Sequence, residues 1–409
     1  MQFAILISVL VALVLGAFLM LTHVHSFFKI KTTETRRAFG TVYNALLSSM
    51  DQITITNDTL TTAIEGKKRK QSVGYYGAWI KHYVAINNHE QKIAKAALSG
   101  TKQDAKTPNL YLENNTSALV VVGDTRLEGN SYLPKQGVKA GNISGKYYQG
   151  NALYYGVVRE SERTLPQLDE NWLNYINEIH QEVLIEESIP VQFEKDNKNS
   201  FNSRPNIIFQ ESPIVIEDQK IAGNFVIQSK SKIVVYSTAQ LTDVILIAPE
   251  INIRNGVKGS FQAFATKKLQ IGKQCQLFYP SSLVLLDQNR EESSTNSRKN
   301  IIDFSIGSNT LVEGIVLYLK NEKVKKNRVK THLEIQPNAE IIGEVYCEGN
   351  VDFQGTVWGS LYAKQFIAKQ YGSVYLNHIY NGKVLKNPVE DYVGLPFQNT
   401  KHGVAKWLY

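Results

Sequence analysis

Seven carboxylates gather in one part of this chain: Asp303, Glu313, Glu334, Glu340, Glu344, Glu348 and Asp352. The chemistry they could serve is cleavage of a polysaccharide. That needs either two carboxyls flanking one bond or a carboxylate cluster beside a base. In short paired strands such residues stack at about 4.8 Å from one strand to the next, close enough to perturb each other's ionisation. Yet no Asp-Asp or Asp-x-Asp pair occurs. Carboxylates that alternate with apolar residues ordinarily face solvent, and that is the expectation for all seven. No catalytic residue is assigned.

The other reactive side chains are equally plain. His23 and His25 form an HVH step at the end of an apolar run, and His82 and His89 lie seven apart. No Cys, His and Asp spacing of a metal site accompanies them, so no metal ligand is assigned. Cys275 and Cys347 sit in apolar, strand-like text; buried thiols are the default, and a disulfide between them stays open. There is no Gly-x-Ser-x-Gly, Walker loop or dinucleotide fingerprint, and no cofactor is assigned. Tyr132, Tyr147, Tyr148, Tyr154 and Tyr155 are dense enough to form a face that stacks on glycans or protein partners, or to pack corners.

The formal net charge is +8, with 20% charged and 10% aromatic residues. This is a folded, β-leaning composition. Its lysines are dispersed among acids, except in residues 66–70 and 323–330. No nucleic-acid motif accompanies either cluster, so nucleic acid is not an expected partner. Envelope polysaccharide or protein remains the partner class, and a homo-oligomer stays open.

The elements that must position these residues begin with residues 3–21, from Phe3 to Leu21, which carry no charge. At about 1.5 Å per residue the run spans roughly 28 Å, so the lipid bilayer is the expected partner. It lacks a basic n-region and exceeds a signal-peptide core, which favours a retained anchor. Lys29, Lys31, Arg36 and Arg37 follow it, against Glu34 alone. Read literally, that would hold the bulk in the cytoplasm, but long folded domains translocate regardless of charge. Phe39, Val42, Leu46 and Leu47 share a helical face that continues outward. Residues 75–85 and 91–98 read as strands, or as a strand and a helix. Residues 117–150 give short apolar steps between glycines, solenoid-like or sandwich-like. Residues 165–187 form an amphipathic helix with Trp172, Tyr175, Ile176 and Val183 on one side.

From residue 206 the text is strand after strand, each about five residues, with polar insertions at 288–300 and 321–328. In residues 339–375 glycines fall six apart, at Gly343, Gly349 and Gly355. Short strands punctuated this way are the text of a parallel β-solenoid. The expected fold is mainly β: an N-terminal transmembrane helix, a small α+β module and a C-terminal right-handed parallel β-helix. The expected divisions are an anchor at 1–24, a juxtamembrane helix with a β-rich module at 25–110 and a glycine-rich segment with the amphipathic helix at 111–206. The solenoid follows at 207–385, and a tail at 386–409 covers the open end of the last rung.

Three resemblances add to this. The long helix followed by a small sheet, over roughly the first hundred residues, resembles type IV pilins and pseudopilins, which implies a component of a surface assembly or secretion apparatus. EIIGEVYCEGNVDFQGTVWGSLYA, from Glu340 to Ala363, resembles the β-helix of polymer-forming bactofilin-type proteins. The layout of GNSYLPKQGVKAGNISGKYYQGNALYYG followed by LPQL resembles single-pass envelope proteins of Bacteroidetes. That likeness implies an inner-membrane anchor with the bulk outside the cytoplasm. The expected function is a membrane-anchored, non-enzymatic structural or adhesion-type protein. The alternatives are a pilin-like component and a carbohydrate-active β-helix enzyme.

Overall fold

The structure is a computed structural model. It describes residues 2–51, 53–55, 60–64, 67–88, 91–181, 189–190, 192–288, 302–320, 330–398 and 400–408. Two compact units emerge, one of Met1–Gly74 with His82–Ala96, the other of Tyr75–Lys81 with Ala97–Tyr409.

In the first unit a single helix, α1 (Gln2–Asp51), runs without a break from the apolar segment into a packing segment. Residues 2–34 are all exposed, and the helix is long and apolar enough to cross a membrane. Burial begins at Ala38 and continues at Val42, Ala45, Leu46 and Ser49, one face at helical spacing. Phe39, expected on that face, is half exposed instead, with the Lys95 ammonium 4.2 Å from its ring centre. After the helix Leu60–Ile64 pairs antiparallel with Lys67–Gln71, and residues 82–88 and 91–96 are strands, where one strand and a helix was the alternative reading of 75–85 and 91–98. Val73, Val84 and Ile86 supply the buried partners. His82 is wholly buried and bonded to Ser49 through Nδ1 at 2.7 Å, so it packs and does not reach for a ligand. His89 lies outside the described residues.

The second unit is one barrel-like, almost wholly parallel network of strands. Successive stretches of chain lie in register. Ile233 is followed by Ile251, Leu269, Phe304, Leu333 and Val351 in one column. Val235, Ile253, Ile271, Ile306, Ile335 and Phe353 form a second column, and both are buried throughout. A third runs Ile227, Leu246, Ala263, Leu283, Val316, Val345, Leu361. These columns make a single apolar core. Strands expected at about five residues are here often much longer, such as Gln240–Ile253, because the chain keeps its pairing through small register shifts.

Pairing continues past the strand Thr356–Gln370 by an unexpected route. Val357 pairs with Val384, and Val384 with Leu127; Leu361 pairs with Leu110, which pairs with Ser131. Glu128 to Leu133 then pair with Tyr155–Glu160. The glycine-rich segment that precedes the strands in sequence therefore closes the far end of the stack. The tail, expected to do so, joins another strand: Val393 and Gly394 pair with Lys102 and Thr101. The reason is apolar register, since Leu110 and Leu127 continue two buried columns and the polar text of the tail does not.

The amphipathic helix is shorter than residues 165–187. Helix α2 (Glu170–Glu178) starts where the Asp169 carboxylate accepts the Trp172 N–H. Val183 lies outside the described residues, as do residues 289–301 and 321–329, which hold most of both expected insertions and all but Lys330 of the 323–330 basic run.

Glycine is required at one column, Gly314, Gly343 and Gly359. Each has φ between +135° and +145°, and a Cβ on Gly343 would stand 2.1 Å from the Gly314 carbonyl oxygen. Gly343→Ala is expected to destabilise the protein by about 2–4 kcal/mol in denaturant unfolding. Gly40→Ala, in α1 with open space around it, is expected to stabilise by about 0.5–1 kcal/mol. Equal effects at the two positions would contradict the stacked-glycine column.

Candidate functional site

Of the seven carboxylates, the structure stacks Glu334 and Asp352 in register. Glu340 is exposed, and Glu313, Glu334 and Glu348 are half buried. Asp303, Glu344 and Asp352 are buried, against the solvent-facing expectation. Each has a reason. Asp303 pairs with Lys330. Asp352 stacks in register on Glu334, and each accepts a hydrogen bond from the glutamine two residues on, Gln354 and Gln336. Burial first, then the Glu334 charge, raises the Asp352 carboxyl to about 6.

Glu344 is the most enclosed. Its Oε1 accepts the Gln103 Nε2 at 2.8 Å, and its Oε2 accepts the Leu395 N–H at 2.5 Å. Around it, Tyr392 donates to the Gly314 carbonyl at 2.9 Å and Tyr279 to the Val393 carbonyl at 2.8 Å. A Cβ on Gly394 would stand 2.2 Å from the Glu344 Oε2, so the carboxylate lies directly against this backbone. Burial, opposed by the two donors, pushes Glu344 up from 4.5 to about 7. Chemically this is a protonatable clasp. It holds the strap of residues 392–397 to the strand beneath and leaves no room for a substrate.

The strap has company. The outward row Ile247, Phe264, Val284, Leu317, Tyr346 and Tyr362 would face solvent on a bare stack, yet all six are buried. Phe397 lies 5.1 Å from the Tyr362 ring, and Tyr346 donates to the Pro166 carbonyl. Residues 75–81 close the other end. The Ala78 N–H donates to Gln262 at 2.7 Å and the Trp79 indole to the Pro280 carbonyl at 3.0 Å. At the chain's end Lys406 reaches both oxygens of buried Asp243, at 2.6 and 2.8 Å.

A second buried group joins Asp287, Tyr318, His332 and Asn350. Tyr318 donates to Asp287 at 2.6 Å, and His332 Nδ1 accepts the Asn350 N–H at 2.9 Å. Burial, helped by the charges of Lys330 and Lys320, lowers His332 to about 4. Both cysteines are buried free thiols, which closes the disulfide question. Cys275 occupies an inner corner with Ala239, Val257, Thr310 and Ala339, where the turns leave room only for small or compact side chains. No group of three or more His, Cys, Asp or Glu could hold a metal ion among the described residues. Of the five tyrosines expected to share a face, Tyr132 stacks on Tyr111 at 5.6 Å, and Tyr147, Tyr154 and Tyr155 are exposed.

One face stays open in part. Between the two buried columns lies an outward row, Val234, Asn252, Gln270, Ser305, Glu334 and Asp352, buried at its two ends and half exposed from Asn252 to Glu334. Beside it, at the turn, the edge positions run Tyr236, Arg254, Gly272, Gly307 and Gln336. The two glycines leave a notch of about 600 Å³ between Arg254 and Gln336, with Asn252, Gln270 and Ser305 on its floor. The notch residues, Asp243, Lys406 and Gln103 were all missed from sequence. A signal existed: residues 233–239, 251–257, 269–275, 304–310 and 333–339 share one pattern, apolar-x-apolar-x-turn-turn-small. Aligning them superposes the columns.

No family model and no curated protein matches the sequence. Among solved structures, the competence-associated pilin ComZ from Thermus thermophilus is matched at 9% identity over 93% of this chain and 95% of that one, with a TM-score of 0.21. A score that low carries no argument.

The Glu344 clasp makes a signed prediction. A carboxyl whose pKa is higher folded than unfolded holds its proton more tightly when folded. Its contribution is therefore fully present below pH 4.5 and is lost as pH rises through about 7. Glu344→Gln lacks that loss, so its unfolding free energy relative to wild type should climb by up to about 3 kcal/mol across the interval. Denaturant unfolding at several pH values measures this, and a pH-independent difference would contradict it.

Proposed function

We propose that this protein is a membrane-anchored, non-enzymatic structural or adhesion-type envelope protein, and that its parallel network is a right-handed β-solenoid presented to a partner. The observation that carries this reading is the use made of the buried carboxylates. Glu344 binds the strap, Asp243 binds Lys406 near the C-terminus and Asp303 pairs with Lys330. Acids committed to holding segments in place suit a protein whose surface is its output. Successive parallel strands of one chain, joined by crossovers, favour right-handed winding. The resemblance of residues 340–363 to bactofilin-type β-helices points the same way. The exposed apolar half of α1 supplies the anchor.

A pilin-like role is a second reading, favoured by one observation. Helix α1 is unbroken from its exposed apolar half to the face that packs on an antiparallel sheet. Mass spectrometry of the mature N-terminus separates the two, since a chain cleaved and methylated near Phe3 would support assembly as a pilin.

The anchoring reading predicts that the protein stays in the membrane fraction after alkaline washing, and that a topology reporter fused after Tyr409 reads extracytoplasmic. A cytoplasmic readout would overturn the envelope role.

A further inference from the structure

We propose that the notch between Arg254 and Gln336 is a binding site for an acidic oligosaccharide, one bearing carboxylates on a polyhydroxylated chain. This goes beyond the anchoring reading and does not depend on it. The shape comes from two required glycines. A Cβ on Gly272 would meet the backbone of Arg254 and Asn255 within 2.7 Å, and a Cβ on Gly307 the Gly272 carbonyl group at 2.7 Å. Stacking thus forbids side chains at two successive edge positions and opens a gap two strands wide, on the order of 10 Å. That is the reach of a disaccharide.

The chemistry of the lining selects the ligand. The floor offers the amides of Asn252 and Gln270 and the Ser305 hydroxyl. None of the three side chains has a hydrogen-bond partner among the described residues. Paired donors and acceptors on a half-exposed floor match sugar hydroxyls, which both give and accept. On one bank Arg254 lies over the Tyr236 ring at 5.6 Å, presenting a flat cationic surface. Lys273 lines the same side, and neither cation forms an ion pair with a described residue. Glu334, which follows Ser305 in the floor row, accepts from Gln336 Nε2 at 3.1 Å. A floor of neutral donors and acceptors beneath unpaired cations fits a sugar acid better than a neutral glycan. It also fits better than a bare polyanion, which would leave the amide floor unused.

The test is calorimetric titration of the full-length, detergent-solubilised chain with tetragalacturonate, with maltotetraose as neutral control and poly-L-glutamate as charge-only control. Saturable binding of tetragalacturonate is expected, with both controls at least about tenfold weaker. Arg254→Gln and Gln270→Ala should each weaken it about three- to tenfold. Lys220→Gln, which removes the same charge elsewhere, should leave it unchanged. Thermal unfolding of each variant at the wild-type midpoint shows that the fold is intact. Absence of saturable binding, equal binding of poly-L-glutamate, or notch variants that bind like wild type would each overturn the proposal.

Discussion

Parallel pairing in register is the constraint from which the rest follows. It places each residue directly over its counterpart in the neighbouring strand, so an inner column is inner at every level. Inner columns must then be apolar at every level, and they are, from Ile233 to Val351 and from Ile227 to Leu361. Each fully buried aliphatic side chain contributes about 1.5–3 kcal/mol, and every level repeats the gain. The same rule explains the corner that holds Cys275 and the column where only glycine clears the carbonyl below. It also explains the closing of the far end. Leu110 and Leu127 extend existing columns, so a segment from early in the chain completes a stack begun late.

The outer rows divide by what covers them. One row is apolar and aromatic, and it is sealed by the strap, by the segment before α2 and by residues 75–81. Sealing brings polar atoms out of water, and each must find a partner. Glu344, Gln262 and Asp243 are those partners, which is why buried polar residues appear on an outer row. The other row, from Asn252 to Ser305, is polar and uncovered, and the glycines of the neighbouring edge leave it accessible. The closed row holds the chain together and the open row faces outward.

Part of this was legible in the sequence. The exposed apolar half of α1 and the β character beyond residue 206 could both be read from period and composition. The glycine spacing could be read too, but with a different meaning. Gly343, Gly349 and Gly355 mark successive points along one level, and the next level returns to the column at Gly359, which pairs with Gly343. What could not be read depends on long-range register. Nothing local marks Leu110 as the neighbour of Leu361, or Leu395 as the donor to Glu344. Alternation with apolar residues suggested an exposed Glu344, and alternation was right about its direction. Only the strap, hundreds of residues from Gln103 and placed by tertiary contacts, turns that outward position into a buried one.

The closing of the stack by the early segment is the central claim, and one measurement tests it directly. Arg126 and Lys383 lie side by side in register on adjacent parallel strands. With both replaced by cysteine, dibromobimane should bridge them and become fluorescent in the folded protein. The same reagent should give no bridge in a chain carrying Lys220→Cys with Lys383→Cys. A fluorescent product confined to the first pair is the predicted result. An unreactive Arg126→Cys and Lys383→Cys pair, or equal bridging in both proteins, would contradict the closure.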